Sequence, residues 1–223
     1  MAKRQRIDID ADGVWVSANA LDTEFCRIEG GYASSSDSEM FSWSVEFEDL
    51  GVEANSLCRS ERLITSEYKA LTEGATIEIG STRDNLGMPD VFGLPEADQA
   101  MLCTSHAKLL FEDLFGDDVA FYPWSAPLKT HKDVVLSGLW IMHVLPLLDC
   151  ADPATATFTT RFDGKRYLDS YSFCIDPQKV PGRIRVFRVS HNESTMFCRT
   201  SLIPKLVKAK CRHISVWPVR VVG

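Results

Sequence analysis

The chain has 223 residues, 45% of them hydrophobic and 25% charged, a composition that excludes a disordered or fibrous protein and fits one large domain or two small ones. A chain of this length buries roughly 70–75% of the surface it exposes when unfolded, so its core needs neither a disulfide nor a metal to close. The net charge of −7 conceals a polarity: residues 1–120 carry 24 Asp and Glu against 9 Lys and Arg, or −15, while residues 121–223 carry 7 against 15, or +8. Such a split has two readings: the halves neutralise each other or form solvated faces, the default for charge runs, or the acidic half takes a basic partner that a complementary field steers and holds. Nucleic acid is left only the basic half to dock on.

At the start of the chain, MAKRQRIDIDADG has acidic residues where a signal peptide would place its apolar stretch. Within it, Asp8, Asp10 and Asp12 followed by Gly13 match the opening of a calcium loop. The twelfth position is Asn19 instead of the bidentate Glu that such a loop requires, so an acidic turn is expected there and not a cation site. The run GGYASSSDSE lacks apolar anchors and reads as a loop. FSWSVEF follows with Phe41, Trp43, Val45 and Phe47 at a period of two, the mark of a strand. Ser42, Ser44, Glu46 and Glu48 take its opposite face. In SERLITSEYKALT, Leu63, Ile64, Tyr68 and Leu71 are spaced for a helix over 60–72, with Gly74 placed as its C-terminal cap. Residues 80–95, GSTRDNLGMPDVFGLP, show no sustained period and read as a loop. They divide the chain into an acidic, strand-rich region 1–95 and an α+β domain 96–223.

The second part contains a similarity at an offset of 95 residues. Segments 101–124 and 196–219 share Met101/Met196, Cys103/Cys198 and Pro123/Pro218, and each reads as strand, helix and Pro-terminated strand. Between them lie the apolar VVLSGLWIMHVLPLLDCAD, a pair of expected strands in ATFTTRFDG and YSFCIDP, and the strand-like PGRIRVFRVS. The expected fold class is therefore α+β, with antiparallel or mixed sheets, a few packed helices and two related strand-helix-strand units. The apolar stretch 134–148 is interrupted by Ser137, His143 and Pro146 and is too short to span a bilayer of about 30 Å as a helix.

Seven cysteines (26, 58, 103, 150, 174, 198 and 211) form no CxxC pair, an odd and scattered set that suits reduced thiols in the cytoplasm. Cys103-x-x-His106 and Cys211-x-His213 would supply four zinc ligands if the two similar segments faced each other. Neither pair has the spacing of a structural zinc site, so buried thiols and surface histidines are expected instead. Cys103 and His106 also make a poor nucleophile and base, because the acidic run from Glu112 to Asp118 opposes a thiolate. The chain has no GxSxG, HExxH or P-loop motif. Trp140, Met142 and His143 are expected in the core, where His143 needs a hydrogen-bond partner.

Four segments in order, CTSHAKLLFEDLFGDDVAFYPW, LWIMHVLPLLDCAD, YSFCIDPQKVPGRIRVFRVS and CRTSLIPKLVKAKCRHISVWPV, resemble the type-eleven immunity group of bacterial polymorphic toxin systems, once a domain of unknown function. The resemblance covers about residues 95–220 and is most specific in PGRIRVFRV and SVWPV. It implies a non-catalytic protein, with no cofactor or metal, that binds and neutralises a cognate toxin, often a nuclease, encoded by an adjacent gene. Asp37, Glu39, Glu46, Glu48, Asp49 and Glu53 are the candidate toxin contacts, and for a nuclease toxin with a basic cleft Glu46, Glu48, Asp49 and Glu53 would occupy the place of phosphates. The alternative is nucleic-acid binding through Arg183, Arg185 and Arg188 with Lys205, Lys208 and Lys210, against which a sequence pI near 5.3 weighs. Self-association is left open.

Overall fold

The computed structural model describes residues 14–17, 19–30, 43–46, 61–63, 76–79, 90–93, 100–124, 128–130, 135–136, 138–160, 164, 166–169, 173–212 and 214–222. In chain order the strands are β1 (Val14–Val16), β2 (Phe25–Gly30), β3 (Trp43–Glu46), β4 (Thr76–Ile79), β5 (Val91–Gly93) and β6 (Ala100–Thr104). Helix α1 (Ser105–Phe115) leads to β7 (Val119–Pro123), β8 (Leu128–Thr130), β9 (Val135–Leu136), β10 (Leu139–Val144), β11 (Leu147–Leu148), β12 (Phe158–Thr160) and β13 (Arg166–Leu168). Then come β14 (Val186–Val189), β15 (Asn192–Arg199), helix α2 (Ile203–Lys208) and β16 (Ile214–Pro218). The protein is α+β, with antiparallel and mixed sheets.

A six-stranded sheet runs β1-β16-β2-β15-β14-β11 and a four-stranded sheet runs β5-β6-β10-β7. Both faces of the larger sheet are buried. Cys26, Ile28, Val186, Met196, Cys198, Ile214 and Val216 share one core with Phe111, Leu114 and Phe115 of α1, Leu206 of α2 and Val91, Cys103 and Met142 of the smaller sheet. Phe25, Phe187, Val189 and Phe197 face the other way, onto Leu168, Phe173, Ile175 and Val219. A strand buried on both faces reads as a continuous apolar run rather than an alternation, which is why VFRV and MFC show no period of two.

The similarity at 95 residues extends to topology and register. In the smaller sheet Val91 pairs with Cys103, and Trp140 lies opposite both Cys103 and Pro123. In the larger sheet Val186 pairs with Cys198, and Cys26 lies opposite both Cys198 and Pro218. The quartet β5-β6-β10-β7 thus repeats as β14-β15-β2-β16, all neighbours antiparallel, each with a helix linking its second strand to its fourth. Strands β1 and β11 extend the second quartet at its two edges by parallel pairing. The third strand of each quartet lies outside the offset: β10 follows the first unit, while β2 reaches the second unit from the opposite end of the chain.

That arrangement means residue 95 does not divide the sheets. β2 lies inside the sheet of β14, β15 and β16, β5 pairs with β6, and β4 pairs with β8. Other expectations change locally. The loop reading of 80–95 omits β5, a strand of three residues too short to show a period. ATFTT pairs with RYL of β13 and not with YSFCIDP, in which Ile175 makes single bridges to Ala151 and Val221. Of the helix expected over 60–72, residues 61–63 are non-helical, with the Leu63 amide donating to Tyr122 Oη at 2.7 Å, and the rest lies outside the described residues. The loop GGYASSSDSE beyond its first Gly and the carboxylates Asp8, Asp10 and Asp12 also lie outside them. Among the described residues, no helix is long and apolar enough to cross a membrane.

Candidate functional site

The pairing of the two quartets creates two corresponding junctions, where the residue before the first strand of one unit meets the turn after the helix of the other. At one junction Arg185, before β14, meets the turn from α1 to β7. Its amide donates to Asp118 Oδ2 at 2.7 Å, and its Nη1 donates to the Leu114 carbonyl at 3.2 Å. At the other, Asp90, before β5, meets the turn from α2 to β16. The Asp90 amide donates to the Arg212 carbonyl at 3.1 Å, and the Arg212 amide returns a bond to Asp90 Oδ2 at 2.8 Å. Each junction thus sets a carboxylate against a backbone amide across the two units, and the offset matches 90 with 185 and 114 with 209.

The chemistry differs between them. At the first, position 116 is Gly, on which an added Cβ would lie 3.7 Å from Arg185 Nη1, so the guanidinium fills the space. At the second the matching residue is Cys211, fully buried, and its Sγ lies with a carboxylate oxygen of Asp90 and a ring nitrogen of His106 in a group whose ligand atoms are all within 4.8 Å of one another. Asp90 is only 1% exposed and is oriented from two sides, by Thr104 Oγ1 at 2.8 Å and by the Arg212 amide. Thr104 also caps α1, accepting from the Ala107 amide, which places His106 in the first turn of the helix. His106 is exposed, and its Nε2 lies 3.3 Å from the Ala209 carbonyl. Burial, then the neighbouring Asp90 carboxylate, pushes the Cys211 thiol up to about 12, against the opposing pull of Arg212.

Sequence reasoning found Cys103, His106 and Cys211 and the condition that would unite them, the facing of the two similar segments. The structure brings His106 and Cys211 together. Cys103 points into the shared core, where burial raises its thiol further and both Cys211 and Asp90 are felt electrostatically. His213 lies outside the described residues. Asp90 was missed because it stands in the aperiodic stretch 80–95; the matching of 90 with 185 across the offset was the one signal that could have found it.

Of the acidic candidates, Asp37, Glu39, Glu48, Asp49 and Glu53 lie outside the described residues. Glu46 ends β3 opposite Thr76, while Ser44 lies opposite Glu78 and Glu78 opposite Lys129. Register therefore puts positions 44, 46, 76, 78 and 129 on one face of the sheet β3-β4-β8-β9, and 43, 45, 77 and 79 on the other. The basic alternative loses its centre: Arg188 is 1% exposed, its Nη2 lying 3.3 Å from Nε2 of the fully buried His143. A guanidinium enclosed in the core cannot reach a phosphate. Arg183 and Arg185 precede β14 on the surface, flanking the buried Ile184.

These features define an α+β protein built on a duplicated four-stranded unit, with a carboxylate, imidazole and thiol cluster at one of its two junctions. The chain matches no protein-family model and no curated protein.

Proposed function

We propose that the protein acts by binding another protein, as an immunity protein that sequesters a cognate toxin and catalyses nothing. The observation that carries this reading is the charge polarity, −15 over residues 1–120 against +8 over the remainder. The resemblance of residues 95–220 to the type-eleven immunity group points the same way. On β3, β4 and β8 the register places positions 46, 78 and 129, two Glu and one Lys, on one face of their sheet. Burial also raises the thiols of Cys26, Cys103, Cys150, Cys198 and Cys211 above their ordinary value, which disfavours the thiolate that a cysteine nucleophile uses.

Co-expression with the product of the adjacent gene tests the reading. Rescue of growth together with a co-purifying complex is the expected result; a harmless neighbour that does not co-purify would count against it. Paired reversal, Glu46→Lys with Glu48→Lys, should weaken the complex by 10-fold or more, on the order of 1.4 kcal/mol or above. Unchanged affinity would remove these carboxylates from the interface.

A further inference from the structure

We propose that Asp90, His106 and Cys211 form a zinc site that fastens the two repeated units to each other. The set joins one carboxylate, one imidazole and one thiol, the donor types that zinc takes in tetrahedral coordination. Tetrahedral bonds of about 2.0–2.3 Å require ligand atoms about 3.3–3.8 Å apart. The three atoms here lie within 4.8 Å, so closure needs movements of about 1 Å. His106, exposed on the first turn of α1, can supply most of that movement by side-chain rotation. Its side also opens the fourth position to water.

Charge and the hydrogen bonds that orient Asp90 favour the same ion. Zn2+ with one carboxylate and one thiolate sums to zero, so the buried end of the site would hold no net charge. Binding releases one proton from Cys211, and the His106 ring binds through its unprotonated nitrogen while the other nitrogen keeps its proton. Asp90 keeps a free lone pair on each oxygen while Thr104 and the Arg212 amide hold it in place. The Arg212 guanidinium, 3.7 Å from Asp90 Oδ2 and 45% exposed, can swing into water. The corresponding junction, held by Arg185 and Asp118 with Gly116 in place of Cys211, shows that the fold closes such a junction without this ligand set.

The test uses the full chain, stripped with a chelator and then titrated with Zn2+ under native mass spectrometry, with Co2+ as a spectroscopic substitute. One Zn2+ per chain is expected, with a rise in Tm and, for Co2+, a thiolate charge-transfer band in the near ultraviolet. His106→Ala, an exposed change that leaves the core intact, should lower Zn2+ affinity by roughly 10–100-fold or more and abolish the Tm rise, and Cys211→Ser should abolish the band. Absence of stoichiometric Zn2+, or binding that His106→Ala leaves unchanged, would overturn the proposal.

Discussion

Arg188 and the buried thiols show how a single side chain acquires its role from what surrounds it. In sequence Arg188 stands among other arginines as part of a basic strand; in the fold it is among the largest fully enclosed side chains, and it meets His143. The hydrogen-bond partner that a core His143 required is thus an arginine 45 residues away. The expected burial of the cysteines holds for Cys26, Cys103, Cys150, Cys198 and Cys211, while Cys174 is half-buried and Cys58 lies outside the described residues. Cys150, fully buried, is pushed from 9.0 up to about 12, chiefly by burial, and Cys103 and Cys198 are raised as well. Because the folded value lies above the unfolded one, the stability each thiol contributes is present below pH 9 and drains away as pH rises towards 12. Urea unfolding followed across that range should show stability falling by about 1.4 kcal/mol per pH unit for each such thiol, and a Cys150→Ala variant should lose stability less steeply. Identical slopes for the two proteins would contradict the assignment.

Among the elements, those with a period, a cap or a matching copy were legible, including β14 and β15, which are buried on both faces, and those too short for a period were not. The alternation of 43–46 gives β3, and the matched segments give β6-α1-β7 and β15-α2-β16. β5 escaped notice because three residues cannot display a period, yet its position is tightly set by β2. Gly30 ends β2 where an added Cβ would lie 2.6 Å from the Val91 carbonyl oxygen, a backbone atom that cannot step aside. Gly30→Ala should therefore destabilise the protein by about 1–3 kcal/mol or more, read as a lower urea midpoint. Gly182→Ala meets nothing within 4 Å and serves as the neutral control. Equal midpoints for the two variants would mean that β2 and β5 are not in this close approach.

For the molecule as a whole, the third strand of the second unit, β2, comes from the opposite end of the chain, which has a consequence for any attempt to cut it. A fragment of residues 96–223 keeps β14, β15 and β16 but lacks β2, leaving the facing edges of β15 and β16 unpaired in the middle of the sheet. It also loses Phe25 from one core and Cys26 and Ile28 from the other. Such a fragment should lack the dispersed amide spectrum of a folded protein, and co-expression with residues 1–95 should restore it. A well-dispersed spectrum from the fragment alone would show that the C-terminal part closes without β2. The sequence by itself determined the α+β class, the two similar segments and the charge polarity, because caps, periods and composition are local properties of the chain. Which strand completes each sheet, that Arg188 is enclosed and that Asp90 meets His106 and Cys211 were decided only by tertiary structure. These pairings join residues far apart in the chain, and the free energy that selects them comes from two sheets and two helices closing on a shared core.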